Sequence, residues 1–134
     1  MDDPQTVGSL TLATFNIHMG VDGWGRPHDI VGECRALQAD VYVLQESWAP
    51  DDGSPSTATR IAEGIGHRVV VEVALAHGRL YSPHPSADRK WGPRLYQSRT
   101  PLRLDGERWA SAKEPADRTF QRGRWGIAVL SRVP

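Results

Sequence analysis

Cysteine is nearly absent. Cys34 stands alone, so neither an intrachain disulfide nor a multi-cysteine zinc site can form. Lysine is scarce too: Lys90 and Lys113 carry all of it, and arginine supplies the other basic charge. Arginine offers planar, two-pronged contact to phosphate, although biased codon usage explains the preference more simply. Net charge of either sign is also lacking, because 16 basic residues balance 16 acidic ones. That balance argues against a polybasic tail gripping nucleic acid nonspecifically and leaves room for a local basic cleft. No apolar run approaches the roughly 20 residues of a membrane-spanning helix. Met1-Asp2-Asp3-Pro4 has neither the basic nor the apolar region of a secretory signal. The expectation is a cytoplasmic protein. At 39% hydrophobic and 24% charged over 134 residues, its composition is that of one small globular domain.

What is present reads as alternating strands and helices. Residues 1–8 are polar and expected to fray, leaving 9–134 as the domain. Leu10 to Ile17 reads as a strand with Leu12 and Thr14 on one face and Ala13 and Phe15 on the other. Neither face is polar, so both are expected to be covered. Met19 to Pro27, with Gly20, Gly23 and Gly25, is a loop. Asp29 can cap a helix running to about Ala39, whose apolar stripe is Ile30, Val31, Cys34 and Leu37. Cys34 is therefore read as a packing thiol. Val41 to Gln45 is a second strand buried on both faces, and strand, helix, strand in this order predicts a right-handed crossover with parallel strands.

Beyond it, Asp51 to Ser56 is turn-rich, Thr57 to Ile65 a short helix and His67 to Val73 a strand. From Ala76 to Gly123 the pattern dissolves among Pro83, Pro85, Pro93, Pro101 and Pro115. This stretch is too long for a plain connection. A solvated insertion pinned by Trp91, Tyr96 and Trp109 is favoured over short strands or a lid over a site. Gly126 to Leu130 is a last buried strand.

In open parallel sheets, ligands gather at the carboxyl ends of strands. Asn16 ends the first predicted strand and Glu46 the second. A glutamate directly after an apolar strand is costly unless paired or metal-bound. A carboxylate there is a good hard-oxygen ligand for Mg²⁺, which often takes one or two protein carboxylates plus waters. One Asn and one Glu are weak grounds by themselves, and the surrounding wording adds to them.

Thr14-Phe15-Asn16-Ile17-His18 with Gly20, then Ala39-Asp40-Val41-Tyr42-Val43-Leu44-Gln45-Glu46, then Gly123-Arg124-Trp125-Gly126-Ile127-Ala128-Val129-Leu130-Ser131-Arg132, resembles the endonuclease/exonuclease/phosphatase superfamily in three places and in the right order. The resemblance implies an α/β fold, the N-terminal half of a four-layer α/β/β/α sandwich. It also implies Mg²⁺- or Mn²⁺-dependent hydrolysis of a phosphodiester or phosphomonoester. Carried over by residue, Glu46 matches the metal-binding glutamate. Asn16 matches the asparagine that helps hold the metal site or phosphate. His18 belongs to the Asn-Ile-His-x-Gly wording, with contact to phosphate and a purely structural role equally open. Gln45 is read as architectural and Asp22 as a turn residue. Arg122 and Arg124 could face phosphate and Trp125 could stack on a base, although solvated charges and a packing Trp are favoured.

The family pattern continues into a Gly-Asp-x-Asn element and a terminal Ser-Asp-His, and neither occurs in this sequence. The expectation is an incomplete fragment, inactive by itself, of a parent phosphoesterase acting on nucleic acid, a phospholipid headgroup or a small ester. No stable protein partner is predictable from the residues. The competing expectation is a non-catalytic binding or structural remnant of the same fold.

Overall fold

A computed structural model describes residues 8–22, 28–81, 96–101 and 120–134. Among the described residues the chain is mixed α/β: five strands form one sheet, and two α-helices accompany them. Strand β1 is Leu12–Asn16, β2 Val41–Pro50, β3 Arg68–Tyr81, β4 Tyr96–Pro101 and β5 Phe120–Ser131, in the spatial order β1-β2-β5-β3-β4. Helix α1 is Ile30–Leu37 and α2 is Thr57–Ile65. As the strand–helix–strand pattern predicts, β1 and β2 are parallel neighbours, with Asn16 opposite Gln45. The other pairings are antiparallel.

Both helices start where their sequences offer a cap. The Asp29 carboxylate accepts from the Gly32 N–H and the Ser56 hydroxyl from the Thr59 N–H, each satisfying a donor that the first turn leaves open. α2 ends at Gly66, whose φ of 73° suits a glycine. Ile30 and Cys34 of α1, Ala58, Ile61 and Ala62 of α2, and Tyr42, Leu44, Ala128 and Leu130 of the sheet form the main core. The helices approach closely at Gly64, where a Cβ would come within 2.4 Å of Val31 Cγ1.

The expectation that β1 and β2 are covered on both faces is corrected. Cross-strand partners share a face, and the register sets Thr14, Val43, Val129 and Val71 in one row and Asn16, Gln45, Ile127 and Val73 in the next. In these rows Thr14, Asn16, Val71 and Val73 are exposed and the others half-buried, and Leu12 one row away is exposed as well. Apolar residues on both faces made the strands look doubly covered, yet the helices cover only one face.

Element lengths also differ from expectation. β2 does not end at Glu46 but runs on to Pro50, and β3 and β5 form a much longer antiparallel pair than His67–Val73 and Gly126–Leu130. The pair extends because the backbone ladder continues past Gly78 and Gly123, where side-chain alternation is lost. Within the 76–123 stretch, Tyr96 opens β4, while Trp91 and Trp109 lie outside the described residues. The 1–7 segment and residues 23–27 of the loop lie outside them as well.

Both neighbours of β5 bulge at the same level. β2 carries an extra residue, Glu46, between Gln45 and Ser47, and β3 carries Leu75 between Ala74 and Ala76. Gly126 of β5 lies between them, paired with Ser47 on one side and Ala74 on the other. Below this level Leu130 and Ala128 are buried, and above it Trp125 and Gly123 of the opposite parity are buried. A second core cluster forms there, with Trp125 edge-on to Trp48 at 5.4 Å between ring centroids and Met19 and Val21 packed beside them. Bulges sharpen strand twist, and here they accompany the change in which side chains are buried.

Candidate active site

Asn16 is the last residue of β1, and its side chain is tied to the turn that follows. The His18 N–H donates to Asn16 Oδ1 at 3.0 Å. A one-turn 3-10 segment, His18–Gly20, then turns the chain back, with φ of 40° at His18, 60° at Met19 and 81° at Gly20. Glu46, at the bulge of β2, has a φ of 56°. Left-handed backbone costs a non-glycine residue on the order of 1–2 kcal/mol. The described non-glycine residues that adopt it are His18, Met19, Gln38 and Glu46, so most of this strain collects around one corner of the sheet. Backbone strain of this kind gathers at functional sites when the surrounding structure enforces it.

The same corner brings the predicted site residues together. His18 Nε2 lies 3.9 Å from Glu46 Oε2, with the two side chains 34% and 23% exposed, and Glu46 Oε2 itself is shielded from solvent. His18 Nδ1 is 3.3 Å from the Val21 carbonyl oxygen. A carbonyl can only accept, so this contact places a proton on Nδ1. In neutral imidazole, Nε2 and the Glu46 carboxylate are then two acceptors facing one another. A proton on Nε2, or a cation at the carboxylate, turns that repulsion into attraction.

Gln45 does what an architectural residue should: its Nε2 donates to Thr14 Oγ1 at 2.8 Å and to the Val43 carbonyl at 3.2 Å, stitching β1 to β2. Trp125 is 3% exposed and packed against Trp48, which excludes base stacking by this ring and agrees with its reading as a packing Trp. Arg124 is exposed and its Nε lies 3.4 Å from Asp51 Oδ1, while Arg122 is also exposed. Asp22 follows Val21 outside the strands. Cys34 is fully buried, and burial first, then the nearby Glu33 charge, pushes its thiol up to about 11. That favours the packing reading over a reactive one.

Sequence reasoning missed other polar groupings. His77 Nε2 lies 2.8 Å from Asp51 Oδ2, joining β3 to the turn after β2. Gln121 accepts from Trp48 Nε1 and donates to Asp52, whose carboxyl is held below the usual range mainly by Ser54. Ser47, buried beside Glu46, donates to Glu72 Oε1 of β3 at 3.2 Å. Each joins residues 25 or more apart in sequence, and no local pattern marks such pairs. Among the described residues, no three or more of His, Cys, Asp and Glu are grouped to hold a metal. No described helix is long and apolar enough to cross a membrane.

The chain matches no protein-family model, no curated protein and no solved structure.

Proposed function

We propose that this corner is the metal-binding edge of a phosphoesterase that hydrolyses phosphate esters with Mg²⁺ or Mn²⁺, as the resemblance to the endonuclease/exonuclease/phosphatase superfamily implies. The observation that carries the reading is Glu46 itself: a half-buried carboxylate with Oε2 shielded, on a left-handed bulge, facing His18 and one residue from the Asn16 register position. A single carboxylate is a fit donor for Mg²⁺, which commonly completes its shell with water. When bound, such an ion polarises a phosphoryl oxygen and steadies the leaving oxygen.

The side chains have separate tasks in this reading. Glu46 supplies the anionic oxygen for the ion. Asn16 Oδ1 is engaged by the His18 N–H, which directs the amide NH₂ away from the turn and makes it a donor for a phosphate oxygen. This suits Asn16 better to phosphate than to metal. His18, with its Nδ1 turned to the Val21 carbonyl, keeps Nε2 toward Glu46 and so lines the same corner. The finer architecture, a second sheet against the face away from the helices, belongs to the same proposal. The exposed Leu12, Val71 and Val73 on that face support it.

Titrating Mn²⁺ into the chain while following amide resonances tests the reading. Broadening is expected first at Asn16, His18 and Glu46, and Glu46→Gln should weaken binding by about 10–100-fold or more. In any chain that carries the whole domain, the same change should nearly abolish Mg²⁺-dependent hydrolysis of bis(p-nitrophenyl) phosphate or p-nitrophenyl phosphate. Broadening that ignores Glu46→Gln would remove Glu46 from the site and leave a non-catalytic binding role as the better account.

A further inference from the structure

A bulge is held only if the register on either side of it is held. Sliding Ser47 by one place would erase the bulge at Glu46 and send every following side chain of β2 to the other face. Trp48 resists that slip on one face through its contact with Trp125 and its hydrogen bond to Gln121. Ser47 faces the other way. It is 1% exposed, and its hydroxyl reaches past Gly126 of the intervening strand β5 to Glu72 on β3.

Gly126 lies beside that contact and has no room for a side chain of its own. Ser47, Glu72, Ala74 and Gly126 line a shallow cavity on the sheet face, and a Cβ at Gly126 would lie 1.9 Å from the Val73 carbonyl oxygen. A buried hydroxyl needs its hydrogen bond. Turning Ser47 to the other face would break the bond to Glu72, so the contact favours the bulged register over the slipped one.

We infer that Ser47 and Glu72 are a positioning pair that locks the bulge at Glu46 and so sets the direction of the Glu46 carboxylate. The consequence for metal rests on the reading of Glu46 given above, whereas the lock on the backbone does not. Glu72 is exposed, so its substitution leaves the core intact, and Glu72→Gln keeps an oxygen able to accept from Ser47.

The experiment compares wild type, Glu72→Ala and Glu72→Gln by two readouts: the HN–Hα coupling of Glu46, which reports its φ, and Mn²⁺ affinity. Glu72→Ala should move the coupling toward the extended-strand value and weaken Mn²⁺ by about tenfold, the equivalent of one lost hydrogen bond. Glu72→Gln should restore both. An unchanged coupling in Glu72→Ala, or a Gln variant that behaves like the Ala variant, overturns the lock. A shifted coupling with unchanged Mn²⁺ affinity overturns the positioning role. If the coupling shifts but wild type binds no Mn²⁺, the lock stands and the phosphoesterase reading falls.

Discussion

The Tyr42 hydroxyl sits at the junction of α1 and β2. It donates to the Cys34 carbonyl at 2.6 Å and accepts from the Ala39 N–H at 3.0 Å, with the ring itself 1% exposed. Tyr42→Phe keeps the packing and strands two backbone groups, so urea unfolding should show a loss of about 1–3 kcal/mol. Asp40 is a neighbouring case governed by pH. Hydrogen bonds from the Thr11 hydroxyl and backbone, then from Arg132, lower its carboxyl to about 2. A carboxyl depressed in the folded state adds stability that is fully present above its unfolded value, near 3.8, and is lost as pH falls through about 2. Wild type should therefore lose stability between those values more steeply than Asp40→Asn, as acid titrations of the unfolding midpoint would show. Asn16 and Glu46 stood out as candidates because strand ends are where polar side chains interrupt apolar runs. Ser47 was not, since a serine after a glutamate carries no mark of a partner 25 residues away on β3.

Helices were the most readable elements, because their signals are local. Thr57–Ile65 was expected as a short helix and forms with those bounds, capped by Ser56 and ended at Gly66. Ser56→Ala should cost about 1 kcal/mol in thermal or urea unfolding, since the Thr59 N–H loses its cap. Strands were less readable. Their cores at Val41–Gln45 and Gly126–Leu130 stood out by apolar content, but their continuations past the bulges did not. Above Gly126 the buried parity changes, and a period-2 pattern that switches phase looks like no pattern at all. Gly126 is where this matters most for stability. A methyl group there meets backbone rather than a yielding side-chain tip, so Gly126→Ala must push β3 away from β5. The expected cost reaches or exceeds the upper end of the about 1–3 kcal/mol typical of overpacking. Gly64→Ala, whose nearest neighbour is the tip of Val31, should cost less in the same assay.

At the scale of the whole molecule, the sheet has two unlike faces. α1 and α2 cover one, and the other presents Leu12, Val71 and Val73, 66%, 43% and 47% exposed. The sequence announced the apolar content of both faces but not which face the helices would take, because coverage depends on how non-adjacent strands assemble. Contiguous apolar surface exposed to water favours association. At raised concentration the 134-residue chain should scatter light and bind a hydrophobic dye, with both signals growing together. Val71→Lys with Val73→Lys places two like charges on neighbouring positions of that face and should suppress both signals. The contacts of α1 and α2 lie on the opposite face, so the far-ultraviolet circular dichroism should stay unchanged. A charged variant that still associates as strongly would show that the surface responsible lies elsewhere on the molecule.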